Sequence, residues 1–147
     1  MKNIFLADDD VDDRVFFEEA LNELTMETEL TVAKDGVELM TALEEVVVEP
    51  PPPHIIFLDL NMPNKNGFEC LEEIRTHEKF KNIPVVIFST TASENAVERT
   101  YTLGANCYIC KPTSHNLLKK AIETVMALEL WEQRQQPLKE NFILEIS

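Results

Sequence analysis

Residues Ile55-Ile56-Phe57-Leu58-Asp59 constrain this chain more than any other stretch. Four apolar residues, β-branched and aromatic among them, run unbroken into one carboxylate. Such a run reads as a strand buried on both faces, as found inside parallel sheets. Leu60-Asn61-Met62-Pro63 follows, and Pro63 stops any regular element. Asp59 therefore closes a buried strand. In open α/β sheets, the carboxyl ends of the strands are where ligands bind. An Asp at such a place is also a common turn residue or helix cap. The rest of the chain decides between these readings.

Taken in order, strand-like and helix-like stretches alternate. Lys2 to Ala7 is apolar and runs into Asp8-Asp9-Asp10. Val11 to Leu24 carries Val11, Val15, Phe16, Ala20, Leu21 and Leu24 at helical spacing, with Asp10 as N-cap and Asp12 and Asp13 in the first turn. Glu29 to Lys34 predicts a second strand through Leu30 and Val32, ended by the turn signal Asp35-Gly36. A second helix then places Val37, Met40, Leu43 and Val47 on one face. Pro50 to Pro53 is a stiff connector, too short to separate domains.

After Asp59 and the loop to Gly67, Phe68, Leu71 and Ile74 mark a third helix. Val85 to Phe88 is a fourth buried strand, ending at Ser89. Ser93 to Leu103 is a fourth helix with Gly104 at its C-terminus. Asn106 to Cys110 is a fifth strand ending at Lys111-Pro112. Ser114 caps a last helix through Leu128, extended by Trp131. Five β-α units of this kind imply an α/β fold, a doubly wound parallel sheet with right-handed crossovers. Residues 1–130 form the expected domain, and 131–147 a helix extension and apolar tail.

The chain has 147 residues, 13 Lys plus Arg against 27 Asp plus Glu, and a formal charge of −14. This balance argues against nucleic acid, which needs clustered cations, and against anionic membranes. No apolar run approaches the roughly 20 residues of a membrane span, and no secretory signal precedes the first strand, so a cytoplasmic location is expected. Cys107 and Cys110 have C-x-x-C spacing but lie on a predicted strand. Residues three apart on a strand stand about 10 Å apart on opposite faces, too far for a disulfide. Both read as small core residues in a reducing compartment. His54, His77 and His115 are scattered and offer no metal-binding spacing.

A parallel sheet gathers its carboxyl ends on one edge. That edge collects Asp8 and Asp9, Asp59, Ser89 and Lys111. Three carboxylates together need a counter-charge, and Mg²⁺ suits a few carboxylates plus waters. Lys111 adds a second cation and Ser89 a hydroxyl. The set fits phosphoryl transfer to a carboxylate, with cations and hydroxyl meeting the charge on the transferring oxygens.

On these residues the chain resembles the receiver domain of two-component response regulators. The matching stretches are Asp8-Asp9, Asp59 within Phe-Leu-Asp-Leu-Asn-Met-Pro, Ser89 after Pro-Val-Val-Ile-Phe, and Gly104 through Lys111-Pro112; Asp35-Gly36 and Asn66-Gly67 also fit. The resemblance covers about residues 1–130. It implies the flavodoxin-like strand order 2-1-3-4-5 and Asp59 as phosphoacceptor. It implies Asp9 as direct Mg²⁺ ligand, Asp8 as a water-mediated one and Asn61 as a backbone-carbonyl ligand. Ser89 and Lys111 would hold the phosphoryl group, Tyr108 would swing inward with Ser89, and Lys111-Pro112 would be cis. The donor would be a histidine kinase or histidine phosphotransfer protein. Thr90 and Thr113 depart from the residues most members carry there, a choice similar to small stand-alone receivers partnered with phytochrome-type kinases.

Two other readings compete. A haloacid-dehalogenase-type phosphatase also combines Asp, Mg²⁺, Ser/Thr and Lys, but needs Asp-x-Asp, and Asn61 cannot do acid-base work. A histidine phosphotransfer protein would phosphorylate a residue such as His77, but on a helical bundle rather than alternating strands and helices. The tail leaves two alternatives open. Phe142 to Ile146 is mostly large and apolar, and either folds onto its own domain or pairs with a sheet edge of a second copy in a homodimer.

Overall fold

The computed structural model describes residues 1–133 and 136–146. The strands are β1 (Lys2–Ala7), β2 (Thr28–Ala33), β3 (Ile55–Leu58), β4 (Val85–Ser89) and β5 (Cys107–Cys110). They form one parallel sheet in the order β2-β1-β3-β4-β5. The helices α1 (Val11–Asn22), α2 (Gly36–Val48), α3 (Gly67–Thr76), α4 (Glu94–Thr102) and α5 (His115–Ala127) cover both faces. The expected fold is the one observed.

Each helix starts where the sequence supplies a side-chain acceptor. Asp10, Asp35, Asn66, Ser93 and Ser114 each accept from the backbone N–H three residues on. Asn66 and Glu69 form a reciprocal capping box. Such caps contribute about 1 kcal/mol each and fix where every β-to-α loop ends.

The sheet divides the core by strand alternation. Ile56 and Leu58 of β3 face the cluster under α2, α3 and α4, while Ile55 and Phe57 face the cluster under α1 and α5. In the second cluster the Phe17 ring meets Phe57 and Phe88 edge-on at 5.0 and 5.8 Å. Truncating Phe17 would cost roughly 3–5 kcal/mol.

Several local expectations are corrected. On α1 the buried residues are Phe17, Ala20 and Leu21, whereas Val11 and Val15 are exposed. At about 100° per residue, Val15 lies about 160° round the helix from Phe17. On α2 the buried stripe is Leu39, Met40 and Leu43; Val37 is on the far side and Val47 is exposed on the last turn. Val32 is exposed because β2 is an edge strand. Cys107 is buried but Cys110, at the end of β5, is exposed, so only the former is a core residue. The last helix stops at Ala127, and Trp131 belongs to a separate 3₁₀ turn reached through the left-handed Glu129. The Lys111-Pro112 bond is trans, the lower-energy isomer of an X-Pro bond, and Lys111 reaches the site in that form.

The tail lies on its own domain. The N–H of Tyr108 donates to the carbonyl of Phe142, and the N–H of Leu144 donates to the carbonyl of Tyr108, both at 3.0 Å. Ile143 makes a parallel bridge to Tyr108, and the Phe142 side chain is fully buried. The segment thus covers the free edge of β5, an edge that would otherwise expose unpaired backbone groups.

Candidate functional site

The carboxyl ends of β1, β3 and β5 deliver their side chains to one point. Lys111, just beyond β5, places Nζ 2.7 Å from Asp8 Oδ2, 2.9 Å from Asp13 Oδ2 and 3.1 Å from Asp59 Oδ2. One oxygen each from Asp8, Asp9 and Asp59 lie within 4.8 Å of one another. Asp8 and Asp59 are buried, and Asp9 is exposed.

Loop geometry fixes the acids. Asp8 Oδ1 accepts from the Asp10 N–H, and Asp59 Oδ1 accepts from the Leu60 N–H. The turn after Asp59 is pressed against the start of α3, where the Gly67 N–H donates to the Leu60 carbonyl. A Cβ on Gly67 would lie 2.3 Å from the Asp59 carbonyl oxygen, so only glycine fits there.

Burial makes the site electrostatically tense. Loss of water pushes the Asp59 carboxyl up to about 6, with the charge of Lys111 working against this and that of Asp8 adding to it. Burial also raises Asp8, opposed by Lys111 and the Asp10 N–H. Burial alone would lower Lys111, but its contacts with Asp8 and Asp13 and the charge of Asp59 carry it above its ordinary value. Lys111 is therefore a fixed cation.

The donor set fits a hard divalent cation. Asp8 Oδ2 is buried with no well-aligned hydrogen-bond partner, and Lys111 Nζ at 2.7 Å is its counter-charge. An octahedral ion with oxygens at about 2.1 Å holds those oxygens roughly 3 to 4 Å apart, a spacing the three acids can meet.

Of the other expected residues, Asn61 is exposed on the loop two residues beyond Asp59. Ser89 is fully buried at the end of β4. Its Oγ accepts from the Thr91 N–H at 3.3 Å, and its carbonyl accepts from the Lys111 N–H at 2.8 Å. Tyr108 is fully buried, and its hydroxyl donates to the Thr91 carbonyl. Burial raises its phenol, and a side-chain contact with Ser89 opposes that. The ring thus stands inward.

Two neighbours were not singled out from sequence. Asp13 reaches Lys111 from the first turn of α1, and Arg14 Nη1 donates to the Asp8 carbonyl at 2.8 Å. The signal available was their place on the helix immediately after the acidic triplet. Sequence reasoning gave Asp13 to the helix dipole instead.

A family model described as the response regulator receiver domain matches residues 4–123. Response regulator Rcp1 of Synechocystis is 35% identical over 126 residues, covering 84% of this chain and 86% of that protein. A probable chemotaxis protein CheY of Rhizobium etli is 31% identical over 122 residues, covering 83% and 90%. The solved structure of the phosphorylated cyanobacterial phytochrome response regulator RcpA matches with a TM-score of 0.80 at 35% identity, over 88% of this chain and 94% of that one. The Mn²⁺-bound form of Rcp1 matches with a TM-score of 0.78 at 34% identity, over 93% and 99%. Nothing in these likenesses supports the phosphatase alternative, and the acid at the end of β3 is followed by Asn61 where that chemistry needs a second acid. Fold, acidic edge and relatives agree: the chain belongs to the response regulator receiver domains, the modules through which two-component systems signal by phosphorylation.

Proposed function

We propose that Asp59 is the phosphoryl acceptor and that Asp8, Asp9, Asn61, Ser89 and Lys111 serve it. The observation that carries this reading is Lys111 Nζ, held between Asp8 and Asp59 at 2.7 and 3.1 Å. An oxygen of Asp59 forms the new O–P bond as the P–N bond of a partner's phosphohistidine breaks, and the electron pair returns to the imidazole. Lys111 meets the charge on the transferring oxygens, and the Ser89 hydroxyl binds one of them. Asp9, Asp59 and the Asn61 carbonyl would hold Mg²⁺ directly and Asp8 through water, and the ion would supply Lewis-acid charge at the phosphoryl oxygens. That the relative Rcp1 has a Mn²⁺-bound form supports a divalent cation for this chain.

The donor is a histidine kinase or histidine phosphotransfer protein; the likeness to RcpA makes a phytochrome-type kinase the first candidate. The protein is no enzyme toward other substrates, catalysing only its own phosphorylation and dephosphorylation. It acts in the cytoplasm through protein partners rather than nucleic acid or membranes. Three free cysteines support a reducing compartment, and no helix among the described residues is long and apolar enough to cross a membrane. Residues 1–130 are the receiver unit and 131–147 its accessory segment. Self-association is a finer reading: the β5 edge that accepts residues 142–144 of its own chain has the geometry to accept them from a second copy. Sedimentation across a concentration series, with and without phosphorylation, tests it.

The test of the central reading is labelling by acetyl phosphate with Mg²⁺, read by mass spectrometry. One phosphoryl group on the wild type and none on Asp59→Asn is expected. Full labelling of Asp59→Asn would refute the assignment.

A further inference from the structure

The segment over β5 is fastened along its length to the elements that carry Tyr108. Gln136 Nε2 donates to the Ala105 carbonyl at 2.6 Å, and the Tyr101 hydroxyl donates to the Pro137 carbonyl at 3.0 Å. Lys139 pairs with Glu98 of α4. The Phe142 ring meets Tyr101 and Tyr108 edge-on at 5.1 and 6.1 Å. Beyond it, both backbone groups of Tyr108 are bonded to residues 142 and 144.

From Tyr108 the contacts continue to the phosphorylation site. Its hydroxyl holds the Thr91 carbonyl, the Thr91 N–H is bonded to Ser89 Oγ, and the Ser89 carbonyl is bonded to the Lys111 N–H. An outward swing of the Tyr108 ring would carry it to the edge of β5, into the space Phe142 and Ile143 fill. Docked tail and outward ring exclude each other.

We propose that residues 137–146 act as a clamp that keeps Tyr108 inward, so that tail docking and phosphoryl transfer to Asp59 favour each other. This rests on Asp59 being the acceptor and on the inward ring belonging to the phosphorylated state. A two-state element biased from both ends gives reciprocal coupling: whatever factor the tail contributes to phosphorylation, phosphorylation contributes to tail docking.

The test uses the full chain. In Phe142→Ala the Tyr108 amide should exchange at least about tenfold faster, while amides of β3 keep their protection and show that the fold survives. Labelling of Asp59 by acetyl phosphate and Mg²⁺ should slow by about fivefold or more. Lys139→Glu, on the exposed pair, should act in the same direction more weakly, and adding Glu98→Lys should restore the wild-type values. In the phosphorylated wild type, the Tyr108 and Leu144 amides should become more protected. Wild-type labelling in a variant whose tail amides are released would overturn the clamp. So would unchanged or lowered protection of those amides in a protein that mass spectrometry shows to be phosphorylated. If the wild type takes no label at Asp59, the functional reading fails on its own. The clamp is then judged on the Tyr108 side-chain rotamer in Phe142→Ala, read from its nuclear Overhauser contacts: loss of the contacts to Thr91 supports it, and their full retention overturns it.

Discussion

Lys111 Nζ lies 3.1 Å from Asp59 Oδ2, joining strands whose side chains are 52 positions apart in the chain. The same ammonium touches Asp8 and Asp13, so a single cation serves three acids. Lys111→Met keeps the stem's bulk and removes the charge. Asp59 should then titrate above its value of about 6, since the charge opposing burial is gone. Phosphoryl labelling should fall by about tenfold or more. Carboxyl-carbon NMR and timed mass spectrometry read the two effects.

The raised Asp59 carboxyl also makes a signed prediction about pH. Its value of about 6 exceeds the ordinary 3.8, so between these limits the folded state binds more protons than the unfolded state. Stability from this group therefore falls as pH rises through the window, by about 3 kcal/mol in all. Asp59→Asn mimics the protonated form and escapes the loss. In chelator, urea denaturation should find Asp59→Asn more stable than wild type at pH 8, with the gap closing towards pH 4. A constant gap across that range would contradict the assignment.

A divalent cation should relieve the same tension. Mg²⁺ at about one hundred times its dissociation constant would add about 2.7 kcal/mol to wild-type stability. Asp9 is exposed and makes no contact with Lys111 among the described residues, so Asp9→Ala should barely alter metal-free stability. It should nevertheless abolish most of the Mg²⁺-dependent rise in Tm. Thermal unfolding with and without Mg²⁺ measures both.

The parts that sequence made legible were those fixed by local chemistry. The β3 run and the caps at Asp10 and Ser114 follow from local residue chemistry, and the convergence of Asp8, Asp9, Asp59 and Lys111 follows from strand polarity. Asp13 was not legible as a site residue, because its reach to Lys111 depends on how α1 leans over the sheet edge. Nor were the buried faces of α1 and α2, since valines at Val11, Val15 and Val37 stand on exposed surface and blur the period. The tail was undecided because an apolar strand pairs equally well with its own sheet or another copy's.

Gly67 tests how tightly the site is built. Its missing Cβ leaves room for the Asp59 carbonyl at 2.3 Å and the Leu60 Cα at 2.7 Å, both backbone atoms. Gly67→Ala must move one chain segment or the other. A loss of about 3 kcal/mol is expected from this overpacking, with slower labelling because Asp59 shifts with its own backbone. Urea denaturation and the labelling rate measure it; an unchanged rate at full labelling would show the loop yields without moving the acceptor.

Arg75 predicts a separation between stability and phosphorylation. Its guanidinium is largely buried at the opposite end of β4 and β5 from Ser89 and Lys111. Nε donates to the Gly104 carbonyl at 2.9 Å, Nη1 to the Ile83 carbonyl at 2.8 Å and Nη2 to Asn106 Oδ1 at 2.9 Å. Asn106 Oδ1 also accepts from the Val85 N–H, so the cluster ties α3 to the starts of both strands. Among the described residues no carboxylate pairs with Arg75, and burial pushes it down to about 10, still charged at neutral pH. Arg75→Met keeps the stem but leaves these acceptors without donors. It should cost about 3 kcal/mol. Arg75→Lys should recover little, because one ammonium cannot span acceptors laid out for a planar fork. Amide exchange should rise at Val85 and Asn106, the first residues held by the cluster. Labelling of Asp59 in the folded fraction should stay near wild type, since no contact of Arg75 reaches the acid cluster. Labelling that falls in step with stability, in protein still fully folded, would show instead that the two ends of the sheet are coupled.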